Sequence, residues 1–166
     1  MHTVCSLLPS AIFGDGTHES TQIVLKALEW CDPNGKDVLD IGTGTGIQSI
    51  YAKKMGAENV LAVDIDYQSV LCARENFKRN NVEVTSRLNI FNEMLDYRAD
   101  ITVANLPSHD VRDFIPMAKD TMKQDGVLIC SWCNQYNLEN ECDLTGWEIK
   151  KHFKGIEWDA YVLERI

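Results

Sequence analysis

The apolar positions change their period along the chain, and those changes mark out its elements. Ile23, Val24, Ala27, Leu28 and Cys31 recur at helical spacing. Residues 21–31 therefore predict a helix, with Ser20 or Thr21 as its cap. "DPNGK" breaks the chain, and "DVLDI" (Asp37 to Ile41) predicts a buried strand. Ile47, Ile50, Tyr51, Lys54 and Met55 trace a second helix, stopped by Gly56. "NVLAVDID" predicts a second strand, and Tyr67 to Asn80 a helix with Val70, Ala73, Arg74 and Phe77 on one face. "VEVTSRL" alternates as a third strand would, and "ADITVANLP" is an apolar fourth strand ending at Pro107. Val111, Phe114, Ile115, Ala118 and Met122 fit a helix that Pro116 either kinks or restarts. "GVLICSW" predicts a fifth strand. Trp147 to Phe153 and Glu157 to Arg165 predict two closing strands around a turn near Gly155.

Strands alternating with helices imply an α/β fold with a doubly wound sheet. Seven strands are expected, mostly parallel, with an antiparallel strand at the C-terminal end. No repeat, linker or low-complexity tract divides the 166 residues, so 1–166 reads as a single domain. Sheets of this kind bind ligands beyond the C-terminal ends of their strands. The informative residues should sit where the first four strands end.

Composition narrows the function. No apolar run approaches the ~20 residues of a membrane span. "MHTVCSLLPSA" lacks the basic start of a secretory signal. The formal net charge of −9 disfavours nucleic acid as a partner and favours a basic protein or a cationic substrate. The six cysteines are scattered and read as free thiols of a reducing compartment, the cytoplasm. The single C-x-x-C, Cys130 to Cys133, has no second pair at ligand spacing, so no metal site is expected.

In "LDIGTGTG", Gly42, Gly44 and Gly46 follow a strand and open a helix. Glycines there let the backbone turn tightly and let a ligand approach it. A dinucleotide fingerprint would need glycine where Ile47 stands, which argues against a nicotinamide cofactor. Asp64 ends the second strand, 22 positions after Gly42, where a carboxylate can accept bonds from ribose hydroxyls. Asp66 is better placed as a helix cap. In "VANLPS", Asn105 and the backbone at Leu106 offer two acceptors that can orient an amine.

The G-x-G-x-G loop after the acidic strand end at Asp40 resembles the first motif of class I S-adenosylmethionine-dependent methyltransferases, which are Rossmann-like. "VANLPS" resembles their N-P-P-Y motif, with Leu106 in place of the first proline and Ser108 in place of the aromatic. Loss of that aromatic argues against a nucleobase acceptor. "FGDGTHEST" resembles the F-G-T-G-x-H-x-T-T signature of the protein methyltransferase A family, which modifies the large-subunit ribosomal protein L-eleven. Phe13, Gly14, Gly16, Thr17, His18 and Thr21 match, while Asp15 and Ser20 depart. "GAENVLAVDID", "ARENFKRNNV", "ADITVAN" and "EWDAYVLER" extend the likeness over residues 8–165.

The resemblance implies S-adenosylmethionine as cofactor, held by Phe13, Gly14, Thr17, Thr21, Asp40, Gly42, Thr43, Gly44, Asp64, Ile65, Asn89, Ile90 and Asn105. Thr21 would bond the methionine end, Asp64 the ribose, and Asn89 and Ile90 would border the adenine. Asn105, beside the methyl, would be the catalytic residue. His18 is expected to fix the loop rather than move a proton. The implied activity is N-methylation of an amine, on a lysine or an N-terminus of a protein. Only about twelve residues precede the signature, so the family's N-terminal substrate-recognition domain is expected to be absent. The chain then reads as a truncation, as part of a split enzyme with a separate substrate-recognition subunit, or as a stand-alone relative with another substrate. Two alternatives stay open: the same chemistry on a small molecule, or a non-catalytic cofactor-binding module.

Overall fold

The computed structural model describes residues 4–88 and 96–166. The chain folds as α1 (Glu19–Cys31), β1 (Asp37–Ile41), α2 (Ile47–Lys54), β2 (Asn59–Asp64), α3 (Tyr67–Arg79), β3 (Thr85–Leu88), β4 (Ala99–Ala104), α4 (Ser108–Ala118), β5 (Met122–Cys133), α5 (Leu138–Glu141), β6 (Trp147–Phe153) and β7 (Trp158–Arg165). The seven strands form one sheet in the order β3-β2-β1-β4-β5-β7-β6. β1 to β5 pair in parallel, while β7 runs antiparallel to both β5 and β6.

The order reverses between β1 and β4, and there the two strand ends diverge to leave a crevice. On one face α1 buries Ile23, Val24, Ala27 and Leu28 against Val38, Val60, Ile101 and Ile129. Ile50 of α2 and Ala73 and Phe77 of α3 continue that layer over Ala62. On the other face α4 buries Val111, Phe114 and Ile115 over Leu39, Leu61 and Leu128. Such side chains each gain roughly 1.5–3 kcal/mol on full burial, so both faces contribute.

Several boundaries differ from the sequence pattern. The first helix starts at Glu19, because His18 caps it: His18 Nδ1 accepts the Ser20 N–H at 3.2 Å. The third strand is only Thr85–Leu88, since it lies at the edge of the sheet and pairs with β2 alone. Met122 begins β5 rather than ending a helix. It pairs with Ala99, and the chain then bulges before Val127 rejoins β4 at Ile101. The bulge carries Lys123 to Asp37 and Asp100, at 2.8 Å from each. Pro116 stands inside α4 on its exposed side, away from the buried Val111, Phe114 and Ile115.

Candidate active site

The turn after β1 reaches the crevice as "GTGTG", and its geometry requires glycine. Gly42 has φ +68°, and a Cβ there would come within 2.2 Å of Leu106 Cδ2. At Gly44, φ +54°, a Cβ would meet the Phe13 carbonyl oxygen at 2.5 Å. The turn is therefore packed between the residues after β4 and the loop before α1.

Asp64, at the end of β2, ties itself to this turn. Its Oδ2 accepts the Gly44 N–H and its Oδ1 the Asp66 N–H, both at 2.9 Å. Asp66 takes the capping role, accepting the N–H groups of Gln68 and Ser69. At the end of β4, Asn105 is 6% exposed and donates through Nδ2 to Thr21 Oγ1 at 3.3 Å. With Nδ2 engaged, the Asn105 carbonyl is left as an acceptor.

These groups surround a cavity of about 590 Å³ over the strand ends. Gly42, Gly44, Asp64 and Ile65 form one side, and Asn105, Leu106 and Pro107 the other. Phe13, His18 and Trp158 form a roof of rings. His18 meets Phe13 edge-on at 5.0 Å between centroids and Trp158 at 5.6 Å. Asp110, Phe114 and Met117 of α4 extend the wall. A volume near 600 Å³ with mostly apolar walls and a few placed polar groups suits a nucleoside-sized ligand.

The expected site residues divide into four groups. Phe13, Gly42, Gly44, Asp64, Ile65 and Asn105 line the cavity. Gly14, Thr21, Asp40 and Thr43 are buried just behind it. Thr17 is exposed, and its N–H and hydroxyl both bond Asp15 Oδ1, at 2.9 and 2.7 Å. Asn89 and Ile90 lie outside the described residues. Trp158 is a cavity residue that the sequence pattern places only as part of the last strand. Only the turn geometry at 155–158 brings it under His18. Cys130 and Cys142 are buried thiols, and burial pushes Cys142 up to about 11.

Asp40 sits behind the turn with 1% exposure. Its Oδ2 accepts the hydroxyls of Thr43 and Ser49, both at 2.7 Å. Its Oδ1 is buried without a partner among the described residues. Burial pushes the carboxyl up to about 6. The two hydroxyls oppose that shift, and the nearby Asp64 charge adds to it. The folded pKa lies above the unfolded value near 3.9, so ionised Asp40 opposes folding. Stability from this group is complete below about pH 4, falls as pH rises to 6, and stays low above it. The shift of about two units corresponds to roughly 3 kcal/mol at pH 7. Asp40→Asn is therefore expected to melt above the wild type at pH 8, with the gap closing by pH 4. Calorimetric scans at the two pH values check this, and a lower melting point at pH 8 would contradict it. A buried carboxylate with an unsatisfied oxygen fits a site that receives a cation.

A seven-stranded sheet in this order, with β7 reversed and a glycine-rich turn facing an acid at the end of β2, defines the class I S-adenosylmethionine-dependent methyltransferase fold. The family model described as ribosomal protein L11 methyltransferase (PrmA) matches residues 2–165. The chain belongs to that family. It is 43% identical over 138 residues to the ribosomal protein L11 methyltransferase of Caldicellulosiruptor saccharolyticus, covering 83% of this chain and 46% of that protein. It is 35% identical over 162 residues to the protein of the same name from Thermosipho africanus, covering 97% of this chain and 61% of that one. The crystal structure of a ribosomal protein L11 methylase from Lactobacillus delbrueckii subsp. bulgaricus superposes with a TM-score of 0.87 at 28% identity, covering 96% of this chain and 83% of that chain. The chain thus spans about half the length of the curated relatives it matches.

Proposed function

We propose that this chain is an S-adenosylmethionine-dependent N-methyltransferase, with an amine of ribosomal protein L11 as the first acceptor to test. The observation that carries the reading is the cavity itself. It joins Asp64, Gly42 and Gly44 on one side to Asn105 on the other. Asp64 and the turn would hold the nucleoside, with Phe13 and Ile65 against its apolar parts. The buried charge of Asp40 would favour the cationic methionine end. Thr43 would steady that turn, and Gly14 and Thr21 would support the roof and the Asn105 amide. When bound, the cofactor supplies an electrophilic methyl on a sulfonium.

The residues' own work is alignment, which can lower a barrier by ~7–11 kcal/mol when the geometry is good. The Asn105 carbonyl accepts an amine N–H and so directs the nitrogen lone pair. The amine must be neutral to react. A lysine with pKa near 10.4 needs about 4.6 kcal/mol to lose its proton at pH 7, an α-amine only about 1. A neighbouring sulfonium charge lowers either pKa. The acceptor fits a basic protein, since the chain carries −9. Residues 1–166 would work as one catalytic domain, in the cytoplasm, where the six free thiols stay reduced.

Calorimetric titration with S-adenosylmethionine, with NAD as control, is the direct test. Micromolar binding of the first alone is expected. Incubation with unmodified L11 should then add mass in steps of one methyl. Binding of NAD but not S-adenosylmethionine would overturn the reading.

A further inference from the structure

The roof of the cavity is a short span, Phe13 to His18, held down at both ends. At the far end, Glu19 accepts three backbone N–H groups of the β6–β7 turn: Ile156 at 2.6 Å, Glu157 at 2.8 Å and Trp158 at 3.0 Å. Between the ends, Gln22 Nε2 donates to the Gly16 and Thr17 carbonyls at 3.3 and 3.4 Å. At the near end, among the described residues, Thr45 makes the hydrogen-bonded attachment. Thr45 donates its N–H to the Phe13 carbonyl at 3.2 Å and its hydroxyl to the Gly14 carbonyl. Thr45 is itself anchored from behind. Its carbonyl accepts Asn76 Nδ2 at 2.9 Å, and Asn76 Oδ1 accepts the Leu8 N–H at 2.8 Å. Asn76 is fully buried in α3 and so links the glycine-rich turn to the segment that leads into the roof.

α2 begins two residues on, at Ile47, after a Gly46 cap that has no side chain to serve its open N–H groups. The Thr45 hydroxyl donates away from the helix, to the roof. Thr45 is 1% exposed and does not line the cavity, so it can act on a bound ligand only through Phe13 and Gly14.

We infer that Thr45 is a positioning residue that clamps the roof and sets how long the ligand stays in the cavity. The inference rests on the reading of the cavity as the S-adenosylmethionine site. Phe13 reaches the cavity with 53% of its surface still exposed, so little other packing holds it in place. Loss of the clamp lets the span lift, and ligand escape becomes faster while entry does not slow.

The test compares wild type, Thr45→Val and Thr45→Ser. Valine keeps the shape and removes the hydroxyl, and serine restores it. Two quantities are read: hydrogen exchange of the 14–18 amides in the ligand-free protein, and dissociation of labelled S-adenosylmethionine chased with excess unlabelled compound. Thr45→Val should raise exchange at 14–18 and the dissociation rate about tenfold each. The association rate and the exchange of β1 amides 38–41 should stay within twofold. Thr45→Ser should recover both values. A dissociation rate unchanged by valine overturns the inference. So does exchange that rises equally in β1, since that is a general loss of structure. If wild type binds no S-adenosylmethionine, the function reading falls, and the exchange comparison still decides whether Thr45 clamps the roof.

Discussion

Replacing Asp64 with alanine should weaken S-adenosylmethionine binding by between about tenfold and a hundredfold. The carboxylate lines the cavity and is already fixed by the Gly44 and Asp66 N–H groups. Each oxygen keeps a further lone pair for a ligand hydroxyl. Hydrogen bonds to a charged group contribute about 1.5–3 kcal/mol, which sets the range. Alanine also frees the turn, so part of the loss could come from the turn and not from the ligand. A cycle separates the two. If Asp64 holds the ribose, a cofactor analogue lacking one ribose hydroxyl should lose much less in Asp64→Ala than in the wild type. Equal losses for the two ligands would leave Asp64 as a brace of the turn alone. Calorimetry on the four combinations gives the answer.

The sheet was legible because its signals are local. β1, β2 and β4 are apolar runs closed in turn by glycine, aspartate and proline, and each leads to a residue at the crevice: the Gly42 turn, Asp64 and Asn105. A strand's end fixes where its last side chain goes, so these three lie around one cavity. The roof was legible only in part. Phe13 and His18 belong to a distinctive stretch, but Trp158 reaches the cavity through Glu19, a contact across 139 positions of sequence. No periodicity reports such a bond. Thr17 shows the converse. It stands in the signature, yet its partner is Asp15 two residues away, and a motif match does not say which of its members face the ligand. The β5 boundary was misplaced for a similar reason. Met122 continues the helical spacing of α4, and only pairing with Ala99 across the sheet decides it.

Asn105→Ala should reduce turnover about a hundredfold while changing cofactor affinity by less than threefold. The argument begins with the amide's fixed orientation. Thr21 is fully buried in α1, and its hydroxyl takes the Asn105 Nδ2–H. The carbonyl therefore keeps one direction, as a device that aims a lone pair must. The second expected acceptor, the Leu106 carbonyl, receives the Ser131 hydroxyl at 3.3 Å and keeps one further lone pair. A misplacement of about 1 Å in such a site can cost ~100-fold in rate. Thr21→Val keeps the packing and frees the amide to turn, so it should lie between wild type and Asn105→Ala, about tenfold down in kcat. Single-turnover methyl transfer to L11, alongside cofactor titrations of each variant, reads both quantities. Equal losses in rate and affinity would make Asn105 a cofactor contact, and an unchanged Thr21→Val rate would show that the amide needs no holding.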